Sequence, residues 1–289
     1  MTDWAGLAQR GSRACHDLVG WIYFDTGAAE AYADLGVPNG AGYYAASRFA
    51  PLVGGGNEAV AATAYSINGV FLGGALDLMR EHTDPDSVML MRDAQVIRGL
   101  DAVSPEIAAE LGRFAEPAWA VVDQLHSGAR VLFAVHRGRL ERQASNPALS
   151  AWLAFNCFRE WRGDTHWALV AAADLNAAEV GLIHNVMVDY DEAEWIARSR
   201  GADDDAIREG WARLQRKGFA VDRSLTDDAR AFRNELEQRT DEICGQMWEA
   251  LGEELTVGFC ELMEPHHDAF IARIDATAGP NWMPAARHT

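Results

Sequence analysis

Apolar residues recur at intervals of three and four along most of the chain, and this spacing predicts amphipathic helices. Proline falls mainly at the start of such segments, as at Pro85, Pro105 and Pro147, where the first helical turn tolerates it. The longest segment begins at Pro147 and continues to about Ala173. The pattern therefore predicts a mostly α-helical protein.

In the first half of the chain, glycine and proline divide the helical pattern into segments of different length. The stretch at 37–56 is rich in both residues and leaves room only for a short helix. The helices predicted in this half include Ser12–Leu35 with a break near Asp25, Ala41–Phe49, Asn57–Met79, and one that begins at Pro117 and extends to His126.

In the second half, three helices, a short hairpin and a long helix follow one another. This order is typical of a winged helix-turn-helix. Gly218 is predicted to close the third helix in the left-handed conformation. The predicted segments are a helix opened by Asn176, helices Asp189–Arg200 and Ala206–Lys217, a hairpin over Phe219–Thr226, a helix from Thr226 past Ile243, and a final helix Glu253–Ala276.

We therefore predict a helical N-terminal half, residues 1–145, packed on a C-terminal winged-helix half, residues 146–289. The length of 289 residues suits one large domain or two ordinary ones. We expect the two halves to form one compact unit.

The charge of the chain argues against nucleic acid as a partner. It carries 25 basic and 43 acidic residues, a formal net charge of −18, and proteins bind nucleic acid largely through cationic side chains. The predicted recognition helix, Asp203–Gly218, opens with three aspartates and is neutral overall. The predicted wing offers only Arg223. DNA binding is therefore disfavoured, although the fold itself is one that regulators use.

Cysteine usage and hydropathy point to a cytoplasmic protein. None of the four cysteines forms a C-x-x-C pair, so we expect buried free thiols and no metal site. The N-terminus lacks the pattern of a secretory signal. The most apolar stretch, Val60–Leu78, is interrupted by Asn68 and by glycines, which makes it unsuitable for a membrane span.

Two sequence runs carry a family resemblance. Residues 211–219, followed by Leu225-Thr226-Asp227-Asp228-Ala229-Arg230, resemble the MarR-type regulator pattern, with alanine at 229 where that pattern usually has glycine. A wider resemblance is to actinobacterial MarR-like proteins of unknown function. It rests on residues 21–24, 42–52 and the run Arg162-Gly163-Asp164-Thr165-His166-Trp167-Ala168. The resemblance implies a MarR-like winged-helix fold.

The candidate chemistry lies on two consecutive predicted helices. Arg162 and His166 are four residues apart and share a helix face. His184, on the next helix, is placed to meet His166, and Asp164 is a candidate to orient an imidazole for general-base work. The alternative is a polar network that only locks helices together.

A second group of candidates is aromatic and lies mainly in the N-terminal half. Buried tyrosine hydroxyls and an arginine among apolar side chains are suited to orient an organic ligand. Ordinary helix packing is the alternative. The full set of predicted ligand-binding residues is Tyr23, Tyr43, Tyr44, Arg48, Tyr65, His126, Arg162 and His166.

We interpret the sequence as a small-molecule-binding MarR-like winged-helix protein with a hydrophobic pocket between its halves. Its partner would be a small hydrophobic or aromatic molecule, and a homodimer is an open alternative for its assembly. The second interpretation is an enzyme of secondary metabolism that acts on a hydrophobic organic substrate through Asp164, His166 and His184, and the third is a DNA-binding regulator. The sequence does not identify a cofactor, and haem or metal ligation stays open. The pair His266-His267 is expected on a solvated helix face.

Overall fold

The computed structural model describes residues 2–139, 145–188 and 194–287, which are almost entirely helical, with one two-stranded sheet. Short 3-10 helices lie at Trp21–Phe24, Pro38–Gly40, Ala50–Gly55, Leu111–Phe114 and Glu264–His266. The regular elements are α1 Trp4–Gly20, α2 Thr26–Asp34, α3 Tyr43–Phe49, α4 Asn57–Ala64, α5 Gly69–His82, α6 Pro85–Val103, α7 Pro105–Glu110, α8 Ala115–Gln124, α9 Val131–Arg137, α10 Pro147–Ala172, α11 Ala177–Met187, α12 Trp195–Ser199, α13 Asp204–Arg216, β1 Ala220–Val221, β2 Ser224–Leu225, α14 Asp227–Leu251, α15 Glu253–Met263, α16 His267–Ala278 and α17 Pro284–Arg287. The mostly α fold is confirmed.

Helix α10 is the central element, and it packs against α1, α8, α9 and α14. Its apolar side chains meet those of α14 and α15 in the main core, where the rings of Phe155 and Phe259 stack 3.8 Å apart and Trp248 packs beside them. This core draws residues from both sides of the boundary expected between residues 145 and 146. A separate, smaller core lies within residues 170–236.

The smaller core belongs to the winged helix, formed by α11, α12, α13, the hairpin β1–β2 and the start of α14. Asn176 and Glu179 form a reciprocal capping box that begins α11. Ala220 pairs with Leu225 across the hairpin, and its two turn residues both have positive φ, as a tight hairpin turn requires. Gly218 has φ +76°, which confirms the predicted left-handed helix end.

Four predicted helix boundaries are wrong. The helix expected to start at Ser12 begins at Trp4, where the Asp3 side chain caps it by accepting from Gly6 N. The run over Asn57–Met79 is two helices, because Tyr65 adopts φ +50° and the Asn68 side chain caps a new helix by accepting from Val70 N and Phe71 N. The final helix is interrupted by the 3-10 turn at Glu264–His266, which contains a proline. Helix α8 ends at Gln124, so His126 lies in a loop. Of the helix expected over 189–200, residues 189–193 lie outside the described part.

The N-terminal half docks on the winged helix through the α4–α5 turn. The Tyr65 hydroxyl donates to the Leu175 carbonyl at 2.6 Å. Asn68 donates from its backbone to Arg200 O and from its side chain to Gly201 O. A Cβ at Gly201 would lie 2.6 Å from the Asn68 Cβ, so glycine permits this close approach.

The four cysteines are buried free thiols. Burial raises the pKa of each; the pKa is about 12 for Cys157 and Cys244 and about 11 for Cys260. Such thiols are poor nucleophiles. Within the described residues, no helix combines the length and the apolar character that crossing a bilayer requires.

Candidate functional site

Polar and charged side chains from α10, α11 and α14 meet where the winged helix joins the rest of the molecule. We call this group the seam cluster. Helices α10 and α14 contribute through positions spaced by three or four residues, which share one face, and α11 contributes one histidine. The seam cluster consists of Arg162, His166, His184, Arg233, Glu237, Thr240 and Asp241.

Arg162 connects α10 to α14 through two carboxylates. Its Nη2 donates to Glu237 Oε2 at 2.8 Å and to Asp241 Oδ1 at 3.1 Å. Glu237 also pairs with Arg233, one turn earlier on α14. Arg162 and these partners keep the pKa of Glu237 well below its usual range, even though burial acts in the opposite direction. The carboxylates of the seam cluster are therefore largely neutralised by arginine.

The two histidines of the seam cluster are close enough to influence one another electrostatically. Burial lowers the pKa of His166 to about 3 and the pKa of His184 well below its usual value, and nearby arginines add to both shifts. His166 Nδ1 lies 3.3 Å from Thr240 Oγ1 and 3.5 Å from Glu237 Oε1. Among the residues that the structure describes, no group hydrogen bonds to the imidazole of His184, whose backbone carbonyl accepts from Val188 N at 3.1 Å. Both imidazoles are therefore neutral at physiological pH.

Asp164 does not pair with His166. Its carboxylate accepts from Phe133 N at 2.9 Å and receives a second backbone hydrogen bond from Leu132, so it caps the start of α9. Burial raises the pKa of Asp164 to about 7. The carboxylate beside His166 belongs to Glu237. An acid–base mechanism at the seam would therefore have to use Glu237 in the role that the sequence assigned to Asp164.

The N-terminal aromatic candidates form a different group. Tyr23 and Tyr44 meet edge to face at 5.7 Å. Arg48 nearby is bound to Glu160 by two parallel hydrogen bonds of 3.0 and 2.7 Å. The guanidinium predicted to hold a ligand anion thus already holds a buried carboxylate. Tyr43 is buried, and its hydroxyl has no partner in the described part of the chain.

Tyr65 and His126 lie apart from the other tyrosines. Tyr65 stacks on Trp167 with ring centroids 5.2 Å apart, and Trp167 contacts His166 edge to face at 5.0 Å. Tyr65 therefore belongs beside the seam cluster. His126 is exposed, lies 3.2 Å from Arg130 Nη1 and packs on the edge of Trp161. It does not reach the seam.

The basic residues of the recognition helix α13 are all engaged by acidic side chains. Arg213 and Lys217 reach back to the buried Glu179, at 3.0 and 2.9 Å. The remaining pairs are Arg208 with Asp205 and Arg216 with Glu209, each at 2.7 Å. A surface whose cations are neutralised within the protein attracts phosphate weakly.

Sequence reasoning missed Arg233, Glu237, Thr240 and Asp241 as site residues. Their spacing of three and four on α14 was a signal that they share a face, but nothing in the sequence says which face meets α10. It also misplaced His267, which lies 2.9 Å from the buried carboxylate of Asp17 and is not on a freely solvated face.

The order of α11, α12, α13, hairpin and α14 defines a winged helix-turn-helix protein. A model of a helix-turn-helix family matches residues 8–277, and the chain belongs to that family. Searches of curated proteins and of solved structures found no match. The family match extends well beyond the winged helix and covers most of the helical N-terminal half.

Proposed function

We propose that this winged-helix protein binds a small organic molecule at the seam cluster and does not act by reading DNA sequence. The observation that carries the proposal is His184. Its half-buried imidazole lies beside the buried ring of His166 and has no hydrogen-bond partner among the described residues. A ligand group that donates to or accepts from this ring would supply the missing partner.

The surroundings of His184 indicate what kind of molecule fits. The stacked pair Tyr65–Trp167 lies next to His166 and presents aromatic surface. Two neutral imidazoles supply donors and acceptors, and arginines nearby favour a ligand with a negative or electron-rich end. Small-molecule sites commonly combine apolar surface with a few convergent polar groups. A small aromatic molecule with one polar end matches this environment.

The test is a thermal-shift screen of aromatic and fatty-acid ligands with wild type and His166→Ala. We expect at least one aromatic ligand to raise the melting temperature of wild type and to leave that of His166→Ala unchanged. The matched control is His82→Ala, which removes an exposed imidazole at the end of α5. A His166→Ala protein that melts much earlier yet responds to the same ligands would show that the seam cluster only locks helices together.

The second candidate function is a DNA-binding regulator. The observation in its favour is that Arg208, Arg216 and Arg223 remain 60 to 68% exposed on the recognition helix and the wing. The partners of Arg208 and Arg216 are the exposed carboxylates of Asp205 and Glu209, and such surface pairs are weak. Fluorescence anisotropy with the protein's own upstream DNA at low salt distinguishes the candidates. We expect no sub-micromolar binding, and tight binding with a steep salt dependence would favour the regulator.

A further inference from the structure

A groove of about 440 Å³ lies between α1 and the start of α16, on side chains that the seam cluster does not use. Its volume is within the range of small-molecule sites. The residues on α1 are spaced by three and four and share one face. The charged and titratable side chains that line it are Arg10, Arg13, Asp17, Glu264, His267 and Asp268.

The side chains at the floor of the groove fix the proton on His267. Its Nδ1 lies 2.9 and 3.1 Å from the two oxygens of Asp17, whose side chain is 3% exposed. Its Nε2 lies 3.4 Å from Arg13 Nη2. A guanidinium can only donate, so Nε2 is the acceptor and the proton stays on Nδ1, where it is donated to Asp17. The imidazole is thereby held with an acceptor nitrogen next to a cation.

Arg10 and Arg13 differ in whether a carboxylate neutralises their charge. Arg10 forms two hydrogen bonds with Glu264 and is neutralised by it. Within the described ranges, no carboxylate oxygen lies within 4 Å of the Arg13 guanidinium. Its one hydrogen-bond partner is His267, and at 3.4 Å that bond is near the upper limit of length. Replacing this long hydrogen bond with one to a better acceptor therefore costs little free energy.

We propose that the groove binds a small organic acid that carries a hydroxyl group next to its carboxylate. The carboxylate accepts hydrogen bonds from Arg13, and the hydroxyl donates to Nε2 of His267. Because these two protein groups are only 3.4 Å apart, the carboxylate and the hydroxyl must sit on adjacent carbon atoms. Asp17 acts as a positioning residue, because its contact with Nδ1 orients the ring and selects the tautomer in which Nε2 is the acceptor.

Isothermal titration calorimetry with mandelate, phenylacetate and mandelamide tests the site on the full-length protein. Mandelate has both groups, phenylacetate lacks the hydroxyl, and mandelamide lacks the charge. We expect mandelate to bind best and Arg13→Gln to weaken it about tenfold or more, as the loss of a charged hydrogen bond predicts. The matched control is Arg239→Gln, which removes an exposed arginine on α14. We expect it to bind mandelate like wild type.

A second variant examines the hydroxyl contact. In His267→Phe, mandelate should bind no better than phenylacetate, while wild type should separate the two ligands. Melting curves of both variants check that they are folded. The proposal is overturned if no ligand shows saturable binding, if wild type does not distinguish mandelate from phenylacetate, or if mandelate binds Arg13→Gln and wild type equally. Mandelate also belongs to the ligand class proposed for the seam cluster, so His166→Ala separates the two sites. Mandelate binding that persists in His166→Ala and weakens in Arg13→Gln belongs to the groove, and the reverse pattern belongs to the seam cluster and overturns the groove proposal.

Discussion

Helix α10 carries two buried polar clusters, and they differ in how closely their groups are paired. On one side, Glu160 accepts two hydrogen bonds from Arg48 and one of 2.6 Å from Arg159, and its side chain is 1% exposed. On the seam side, His166 lies 3.3 Å from the Thr240 hydroxyl and 3.5 Å from Glu237 Oε1, and the His184 imidazole has no hydrogen-bond partner among the described residues. Both clusters leave some buried nitrogens without a partner in the described part of the chain, among them Arg159 Nε and His136 Nδ1 beside Glu160 and Arg162 Nε at the seam. The difference is that the Glu160 carboxylate is held by close ion pairs, whereas the seam imidazoles have only long contacts.

The charge states of the two clusters show the same difference. Burial alone would raise the pKa of Glu160, but Arg48 and Arg159 outweigh it and bring the pKa down to about 2. In His166 burial dominates, and the pKa falls to about 3. Strong ion pairing therefore keeps Glu160 charged, whereas weak pairing leaves His166 neutral. A buried charge held by its partners indicates a structural role, whereas the weakly held, neutral ring of His166 can exchange its contacts for those of a ligand at little cost.

The largest expected effect on stability comes from Glu160, the buried carboxylate that Arg48 and Arg159 hold. Glu160→Gln leaves Arg48 and Arg159 buried without their carboxylate. We expect the free energy of unfolding, measured with urea, to fall by about 3–5 kcal/mol, as for other broken buried pairs. The control is Glu242→Gln, which opens an exposed pair with Arg239 on α14. A change as small as that of the control would remove the distinction between the two clusters.

A smaller effect is expected from the seam cluster, and it depends on pH. His166 has a lowered pKa in the folded state, so its stabilising contribution is complete above about pH 6.5, the usual histidine value, and is lost as the pH falls towards 3. Over this range the unfolded chain binds a proton that the folded protein does not. His166→Asn should therefore reduce the slope of unfolding free energy against pH by about 1.4 kcal/mol per pH unit.

Urea denaturation of His166→Asn at several pH values between about 4 and 6 measures that slope. His82→Asn is the matched control, because His82 is exposed and its replacement should leave the slope as it is. Equal slopes in wild type and His166→Asn would mean that His166 takes up a proton in the folded protein as readily as in the unfolded chain. The seam would then resemble the Glu160 cluster.

The sequence predicted the architecture well, because helix caps and winged-helix order are local properties. Asn176, Gly218 and the hairpin after it behave as their residue types require. The main error was the run over Asn57–Met79, where hydrophobic spacing alone gave one helix. The break at Tyr65 is fixed by tertiary contacts, with its hydroxyl on Leu175 O and its ring on Trp167. No local pattern records such contacts.

The candidate site was less predictable, since it depends on which helix faces meet. Arg162 and His166 share a helix face, and both lie in the seam cluster. Asp164 points elsewhere because positions two apart on a helix face different directions. Its neighbour is the start of α9, which the sequence does not place against α10. In the same way, the contact between Asp17 and His267 joins residues 250 positions apart.

The smallest expected effects on stability come from two glycine substitutions that change no charge. Gly218 and Gly74 both have open space where a Cβ would be, but only Gly218 has positive φ, at +76°. Gly218→Ala should therefore destabilise the protein by about 1 kcal/mol, because an L side chain is disfavoured in that conformation. Gly74→Ala lies inside α5 and should stabilise it by about 0.5–1 kcal/mol, since alanine favours a helix. Opposite shifts in urea midpoint are expected. Shifts of the same sign would mean that the end of α13 does not need a left-handed residue. The winged helix beside the seam cluster would then be less rigidly defined than the surroundings of Glu160.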